Sequence, residues 1–314
     1  MKKFLIRIFI LIFLISSSVI ILNAIKKPTV RCITNSLSLD AKLYDIREHN
    51  FSRVKNIALG SSMTLNNINA EVFVTKLQLK DFYNFSAWGL TICDVLNLFK
   101  IYNRLYSPEK LFVFSNTMDF ATDGPTIADL KLKLINAYLK PGLSLFDIPV
   151  ELFYSYPFCK DNISQYEGSK NDSKKYESLK YDFSGSVPLE VYGDNKREAR
   201  VNRHISQYVP TEFQYQKLDE LCKFCKENKI QLYFIQTPFS SKYLTDEKGG
   251  GDLYIVHTNR CESICNKNNA TYVNINDFLD LNDEDFADSS HLNVKNSKIF
   301  TDALIQSLSE LNKE

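Results

Sequence analysis

Two short segments at opposite ends of the chain carry the residue types that nucleophilic catalysis needs. Near the start, Gly60-Ser61-Ser62-Met63 follows the apolar run 54–59. Near the end, Asp288 precedes His291 by three residues. A serine hydroxyl is a weak nucleophile until a base takes its proton, and a carboxylate helps by fixing the tautomer of that base. The sequence therefore predicts Ser62 as the nucleophile, His291 as the base and Asp288 as the group that orients it.

The same residues also have structural explanations. Ser61 or Ser62 can cap the N-terminus of a following helix, which is a purely structural role. If the helix end instead belongs to the site, its backbone N–H groups can bind an oxyanion.

Asp119 and Asp123 follow a predicted strand and are further candidates for the site. The remaining histidines are expected to be structural or exposed: His49, His204 and His257.

Short apolar strands alternate with helical patterns along most of the chain. Strands are predicted at 54–59, 82–85, 110–115, 230–236 and 271–275, and helices at 69–79, 91–105, 127–139, 212–228, 253–268 and 296–311. This alternation predicts an α/β fold, a parallel sheet with helices on both faces. Sites in such sheets form at the carboxyl ends of the strands, which is where Ser62 falls.

Three other segments depart from this rhythm. Residues 1–27 contain an apolar stretch of about 19 residues between basic flanks, long enough for a transmembrane helix. We expect an uncleaved anchor rather than a removed signal, with the body outside the cytoplasm. Residues 28–50 are interpreted as a connector with little periodicity. Within the body, 51–314, a polar stretch at about 120–210 is interpreted as an insertion on the rim of the sheet, either a lid or partner surface or a plain connection.

The composition excludes some classes of function. A net charge of +1 gives no electrostatic reason to expect nucleic acid as a partner.

The four cysteines at helical spacing are Cys222, Cys225, Cys261 and Cys265. We interpret them as small apolar residues on buried helix faces, with disulfide pairing or a metal site as alternatives. The predicted chemistry needs no metal or organic cofactor.

Together with the segment after the second strand, these motifs resemble the SGNH (GDSL-like) hydrolase superfamily. Gly60-Ser61-Ser62-Met63 stands where that family has Gly-Asp-Ser-Leu, with Ser61 in place of Asp. Asn84 and Gly89 match the family's Asn followed five residues later by Gly. Asp288 and His291 match its Asp-x-x-His block. The resemblance implies a flavodoxin-like three-layer α/β/α fold and an oxyanion hole that includes the N–H groups of Ser62 and Gly89.

The family's third block, Gly-x-Asn-Asp, is altered here to Ser115-Asn116-Thr117-Met118-Asp119. The resemblance makes Asn116 the candidate third donor of the oxyanion hole.

A Gly-Ser-Ser variant behind an apolar N-terminus is similar to membrane-anchored members that act in polysaccharide O-acetylation and teichoic-acid D-alanylation. That similarity implies hydrolysis or transfer of an acyl ester on a cell-envelope glycan or polymer, in some cases beside a membrane-bound acyltransferase. The alternatives are a non-catalytic anchored scaffold and a general exported esterase or lipase.

Overall fold

A parallel sheet forms the centre of the protein. The computed structural model describes residues 2–25, 30, 32–140, 160–192, 203–244, 250–277, 279 and 281–311. Within these residues the strands are β1 Asn56–Ala58, β2 Phe82–Asn84, β3 Lys110–Ser115, β4 Gln231–Gln236 and β5 Thr271–Asn274. They pair in the order β2–β1–β3–β4–β5, every neighbouring pair parallel. The chain leaves β1 toward one side and reaches β3 on the other, so a crevice is expected at the carboxyl ends of β1 and β3.

The helices surround the sheet and its rim. In chain order they are α1 Lys2–Ile25, α2 Leu37–His49, α3 Ser62–Asn67, α4 Ala70–Lys76, α5 Ile92–Tyr106, α6 Asp129–Leu139, α7 Lys160–Ser169, α8 Glu212–Glu227, α9 Ser241–Leu244, α10 Gly250–Lys267 and α11 Val294–Leu311. Asn69 caps α4 and Thr91 caps α5, each accepting a hydrogen bond from a backbone N–H of its helix. These polar caps are why the two helices begin where the sequence predicts.

Each face of the sheet has its own apolar core. Successive side chains of a strand point to opposite faces. On β3, Leu111 and Val113 therefore pack with α5, α8 and α10, whereas Phe112 and Phe114 pack with α4 and α11. This is the α/β arrangement with two helical layers that the sequence predicts.

The four helical cysteines lie in the first of these cores. All four are buried, and their thiols are free. Their burial and free thiols agree with the interpretation of these cysteines as small apolar residues on buried helix faces. Among the described residues, no group of three or more His, Cys, Asp or Glu side chains is arranged to hold a metal ion.

The predicted connector contains a helix that the sequence pattern does not reveal. Helix α2 contributes Leu39, Leu43 and Ile46 to the core. Its buried side also carries Asp40 and Lys42, which are 1% and 0% exposed. These two charged residues interrupt the apolar periodicity from which a helix is recognised.

The first helix carries the apolar N-terminal stretch. Its side chains from Phe4 to Ile15 are exposed. No helix in the described part of the chain reaches the combined length and hydropathy of a membrane span. The predicted transmembrane helix is therefore not confirmed.

Candidate active site

The nucleophile turn joins β1 to α3 and leaves little room. A β-carbon at Gly60 would lie 2.1 Å from Thr64 Oγ1, so only glycine fits there. Thr64 Oγ1 in turn donates to the carbonyl oxygen of Phe114 at 2.8 Å, which ties the turn to β3. Ser61 caps α3 by accepting from the N–H of Met63 at 3.2 Å. Because Ser61 takes the capping role, the hydroxyl of Ser62 is left available at the first position of the helix.

Ser62, His291 and Asp288 form a continuous chain of hydrogen bonds. The distance from His291 Nε2 to Ser62 Oγ is 2.7 Å, and from His291 Nδ1 to Asp288 Oδ2 it is 2.8 Å. The structure thus brings together three side chains from segments more than 220 residues apart in sequence. Asp288 and His291 are 2% and 4% exposed, so these hydrogen bonds are largely shielded from water.

Asn67 fixes the loop that carries His291. This residue ends α3, one and a half turns after Ser62. Its Oδ1 accepts from the N–H of Leu292 at 2.9 Å, and its Nδ2 donates to the carbonyl of Ser290 at 3.3 Å. The helix that presents the nucleophile therefore also holds the backbone on both sides of His291.

The surroundings of Asp288 keep its carboxylate ionised. Burial by itself raises the pKa of Asp288, but the charge of His291 and hydrogen bonds from His291 and Tyr176 hold the pKa well below its ordinary value. Oδ1 accepts from the backbone N–H groups of Ser290 and His291 at 2.8 and 2.7 Å. A carboxylate with this many donors stays charged, as it must in order to orient an imidazole and stabilise the imidazolium.

Tyr176 is a site residue that the sequence does not reveal. It lies in the rim segment that follows α7, and its hydroxyl donates to Asp288 Oδ2 at 2.5 Å. The same hydroxyl oxygen is 3.0 Å from His291 Nδ1. No local motif marks Tyr176 in a stretch rich in tyrosine and lysine, so only the three-dimensional structure brings it to this pair.

The three predicted oxyanion donors lie in different positions relative to the cavity beside Ser62. Ser62 is the first residue of α3, and the first N–H groups of a helix have no acceptor within it. Gly89 lines the cavity beside Ser62 with φ +70°, a left-handed conformation that favours glycine. Asn116 is fully buried and is not among the cavity-lining residues. Its Oδ1 accepts from the N–H of Met118 at 2.9 Å, while its Nδ2 has no hydrogen-bond partner among the described residues.

Asn84 supports the nucleophile helix. It is fully buried at the end of β2. Its Nδ2 donates to the carbonyl of Thr64 at 2.9 Å and to Ser186 Oγ at 3.0 Å. The family-like Asn84 thus contacts the backbone of α3 and the rim segment.

A cavity of about 260 Å³ opens in front of Ser62 and His291. Its wall is mixed in chemistry, with apolar, hydroxyl and charged groups, and its other lining residues include Trp88, Met118, Asp119, Thr122, Thr126, Glu177 and Arg203. Such a wall can surround a small acyl group and still offer hydrogen bonds to a polar alcohol.

Asp119 is the one of the two candidate aspartates that reaches this cavity. Its Oδ2 accepts from Ser115 Oγ at 2.8 Å. Burial raises the pKa of Asp119 to about 7, against hydrogen bonds with Ser61 and Ser115 that lower it. Asp123 is exposed and does not line the cavity.

The other three histidines lie away from Ser62. His49 stacks on Phe51, with ring centroids 5.2 Å apart. His204 lies 3.1 Å from the carbonyl of Lys242 through its Nδ1. His257 is fully buried, and its Nδ1 is 2.9 Å from the hydroxyl of Tyr215. None of the three lines the cavity at Ser62.

Comparisons with known proteins find only distant structural similarity. No protein-family model matches this chain, and no curated protein matches it in sequence. Among solved structures it is similar to a candidate acylhydrolase from Bacteroides fragilis, with 9% identity over 86% of this chain and 97% of the other and a TM-score of 0.43. A GDSL-like lipase from Bacteroides thetaiotaomicron has 9% identity, coverage of 86% and 98%, and a TM-score of 0.41.

A third similar structure is a carbohydrate esterase family 2 enzyme with a carbohydrate-binding domain from Corynascus thermopiles (Myceliophthora fergusii). Its identity is 8%, with 84% of this chain and 68% of the other covered and a TM-score of 0.43. Identities and TM-scores this low do not carry an activity from these proteins to this chain.

Proposed function

We propose that this protein is a serine-dependent esterase that works through an acyl-enzyme. The observation that carries the proposal is the hydrogen-bonded chain from Ser62 Oγ through His291 to Asp288 Oδ2. Nucleophile, base and orienting carboxylate lie at the distances that such catalysis requires. The turn that presents Ser62 also places backbone N–H groups at a helix N-terminus, where an oxyanion is stabilised.

The reaction follows from this geometry. Ser62 Oγ attacks the ester carbonyl carbon while its proton passes to His291 Nε2, and the carbonyl oxygen becomes the oxyanion of a tetrahedral intermediate. That intermediate collapses, the alcohol leaves with the proton from His291, and the acyl group remains on Ser62. Water or a second alcohol then attacks the acyl carbon while its proton passes to His291. The bond between Ser62 Oγ and the acyl carbon breaks, Ser62 takes the proton back from His291, and the acid or the new ester is released. Throughout, Asp288 stabilises the imidazolium.

The size of the cavity favours a short acyl group. Pockets for drug-sized ligands usually span about 300–1,000 Å³, whereas the cavity at Ser62 holds about 260 Å³. An acetyl or aminoacyl group fits this space, and we take a short acyl group as the substrate. The polar lining, including Glu177 and Arg203, suits an alcohol with several hydroxyl groups, such as a glycan or polyol polymer.

An extracytoplasmic location completes the proposal. Cys32 is disulfide-bonded, and disulfides persist mainly in oxidising compartments. In that setting the substrate is an O-acylated polymer of the cell envelope, and a membrane-bound acyltransferase is a candidate partner. Membrane attachment through residues 1–27 stays a prediction from the sequence.

A non-catalytic scaffold is the alternative that one observation favours. Asn116, the predicted third oxyanion donor, caps a turn and does not line the cavity. A site with fewer donors stabilises the oxyanion less, at about 10²–10³-fold in rate for each donor.

Turnover of a chain-length series of aryl esters tests the proposal. We expect the acetyl ester to be hydrolysed with a higher kcat/KM than the octanoyl ester, and Ser62→Ala to lose at least about 10⁴-fold in kcat. An O-acetylated glycan, assayed with and without an added polyol acceptor, then separates hydrolysis from transfer. A preference for the octanoyl ester would indicate a lipase, and equal rates in wild type and Ser62→Ala would exclude the proposed mechanism.

A further inference from the structure

The hydroxyl of Tyr176 is shared between the two residues that activate Ser62. It lies 2.5 Å from Asp288 Oδ2 and 3.0 Å from His291 Nδ1. The ring stands edge-on to the imidazole, with centroids 5.8 Å apart and an interplanar angle of 89°. Tyr176 therefore contacts the orienting carboxylate and the base at once.

The direction of these hydrogen bonds follows from the chemistry of the groups. An ionised carboxylate can only accept, so the proton of the Tyr176 hydroxyl points to Asp288 Oδ2. The lone pairs of the same oxygen then face His291 Nδ1. Both neighbours of Nδ1, the carboxylate and the phenol oxygen, are acceptors in this arrangement. Nδ1 therefore carries the proton, and Nε2 presents its lone pair to Ser62.

The rim segment holds Tyr176 firmly in this place. The segment 173–191 is bonded to the nucleophile helix through Val187, whose N–H donates to the carbonyl of Leu65 at 2.9 Å. It is bonded to the start of α11 through Leu189, whose carbonyl accepts from the N–H of Val294 at 2.8 Å. Tyr176 itself packs on the apolar cluster of Leu65, Val187, Leu189, Val191 and Ala287.

We propose that Tyr176 is a positioning residue, which fixes the tautomer and orientation of His291 through its shared hydroxyl. This inference rests on the proposed function and adds to it a contribution from the rim insertion, which the sequence suggested only as a lid, a partner surface or a connection.

Other groups act on the same imidazole. Ser62 Oγ meets Nε2, and the charge of Asp119 interacts with that of His291. Glu177 and Arg203 line the same cavity. Their contributions are the same in wild type and in a Tyr176→Phe variant, so a difference between the two reports the hydroxyl of Tyr176.

Tyr176→Phe, which keeps the ring and its packing, is the variant to test. We expect kcat to fall about 10-fold with KM nearly unchanged, because the imidazole loses one of the two acceptors that fix the orientation of its Nδ1–H. Tyr215→Phe is the matched control, since it removes a hydroxyl 2.9 Å from His257, away from the site.

A second measurement does not depend on turnover. Nitrogen-15 NMR of the His291 ring reports which nitrogen carries the proton and how that N–H is hydrogen-bonded. We expect a proton on Nδ1 in wild type and in Tyr215→Phe, and a changed Nδ1 chemical shift in Tyr176→Phe. If Tyr176→Phe matches wild type in kcat and in the Nδ1 chemical shift, the proposal for Tyr176 is wrong. If wild type hydrolyses no ester but the Nδ1 chemical shift changes in Tyr176→Phe, Tyr176 positions His291 and the proposed function fails instead.

Discussion

Asn67 and Leu292 are joined by a hydrogen bond from the Leu292 N–H to Asn67 Oδ1, at 2.9 Å. The two residues are 225 positions apart in sequence. One ends the helix that begins with Ser62, and the other follows His291 directly. Through this bond the nucleophile and its base share one rigid support, so the 2.7 Å contact between them is built into the fold.

Asn67→Ala should therefore lower kcat by more than any loss of folding stability explains. We expect kcat to fall about 10–100-fold, because a displacement of the base on the order of 1 Å is enough to cost that much. Asn69→Ala is the control: it removes a helix cap at α4 and should cost about 1 kcal/mol of unfolding free energy with little change in kcat. Steady-state kinetics on both purified variants make the comparison, and equal kcat values would refute the role of Asn67.

Much of this arrangement follows from sequence, because local signals determine the sheet and its helices. Asp288 and His291 lie within one short motif, and Ser61 and Ser62 lie within another. The backbone geometry of each motif is set by neighbouring residues. The strand Lys110–Ser115 has the bounds that its apolar run predicts.

Two kinds of structural feature are not revealed by the sequence: contacts between residues that are distant in sequence, and buried polar side chains. Tyr176 reaches Asp288 from 112 positions away, with no motif around it. The sequence pattern does not predict helix α2, because Lys42 lies on its buried side. There the Lys42 ammonium donates to the carbonyl of Gly185 at 2.6 Å. A lysine on a buried helix face contradicts the apolar pattern from which helices are recognised.

Asn116 offers a sharp test of the oxyanion hole. Asn116→Asp keeps an oxygen that can accept from the N–H of Met118, and hence the cap, but it removes the unpaired Nδ2 donor. If that donor reaches the oxyanion, kcat should fall about 10²–10³-fold with little change in KM. Asn116→Ala, which carries no charge, should give a similar loss in kcat. Unchanged kcat in both variants would show that the oxyanion is held by backbone N–H groups alone.

Asp119 should make the stability of the fold depend on pH. Its pKa is about 7 in the folded protein against an ordinary value of 3.8, so the folded state binds its proton more tightly than the unfolded state. Stability from this group is present at low pH and is lost as the pH rises from about 4 to 7, by up to about 4 kcal/mol. Asp119→Asn should remove that loss. Urea denaturation at pH 4 and pH 8 measures this change in unfolding free energy, with the exposed Asp123→Asn as control, and parallel curves for wild type and Asp119→Asn would contradict the prediction.

Gly60→Ala should damage the nucleophile turn through overlap rather than through backbone strain. The added methyl group would lie 2.1 Å from Thr64 Oγ1 and 3.3 Å from the carbonyl oxygen of Phe114. We expect a loss of about 2–3 kcal/mol in unfolding free energy, as in other overpacked sites. Gly124→Ala, where no atom lies within 4 Å of the added carbon, should cost far less. Thermal unfolding of both variants settles the comparison, and equal losses would mean that Gly60 is not sterically required.

Labelling with a serine-directed fluorophosphonate tests the central claim most directly. The reagent reacts with a serine only where a base activates it, so we expect one label per chain, located on Ser62 by peptide mass spectrometry. Ser62→Ala should take up no label, and His291→Ala should react slower by several orders of magnitude. Failure of the folded wild-type protein to react, or labelling of Ser62→Ala at the wild-type rate, would contradict the assignment of Ser62 as an activated nucleophile.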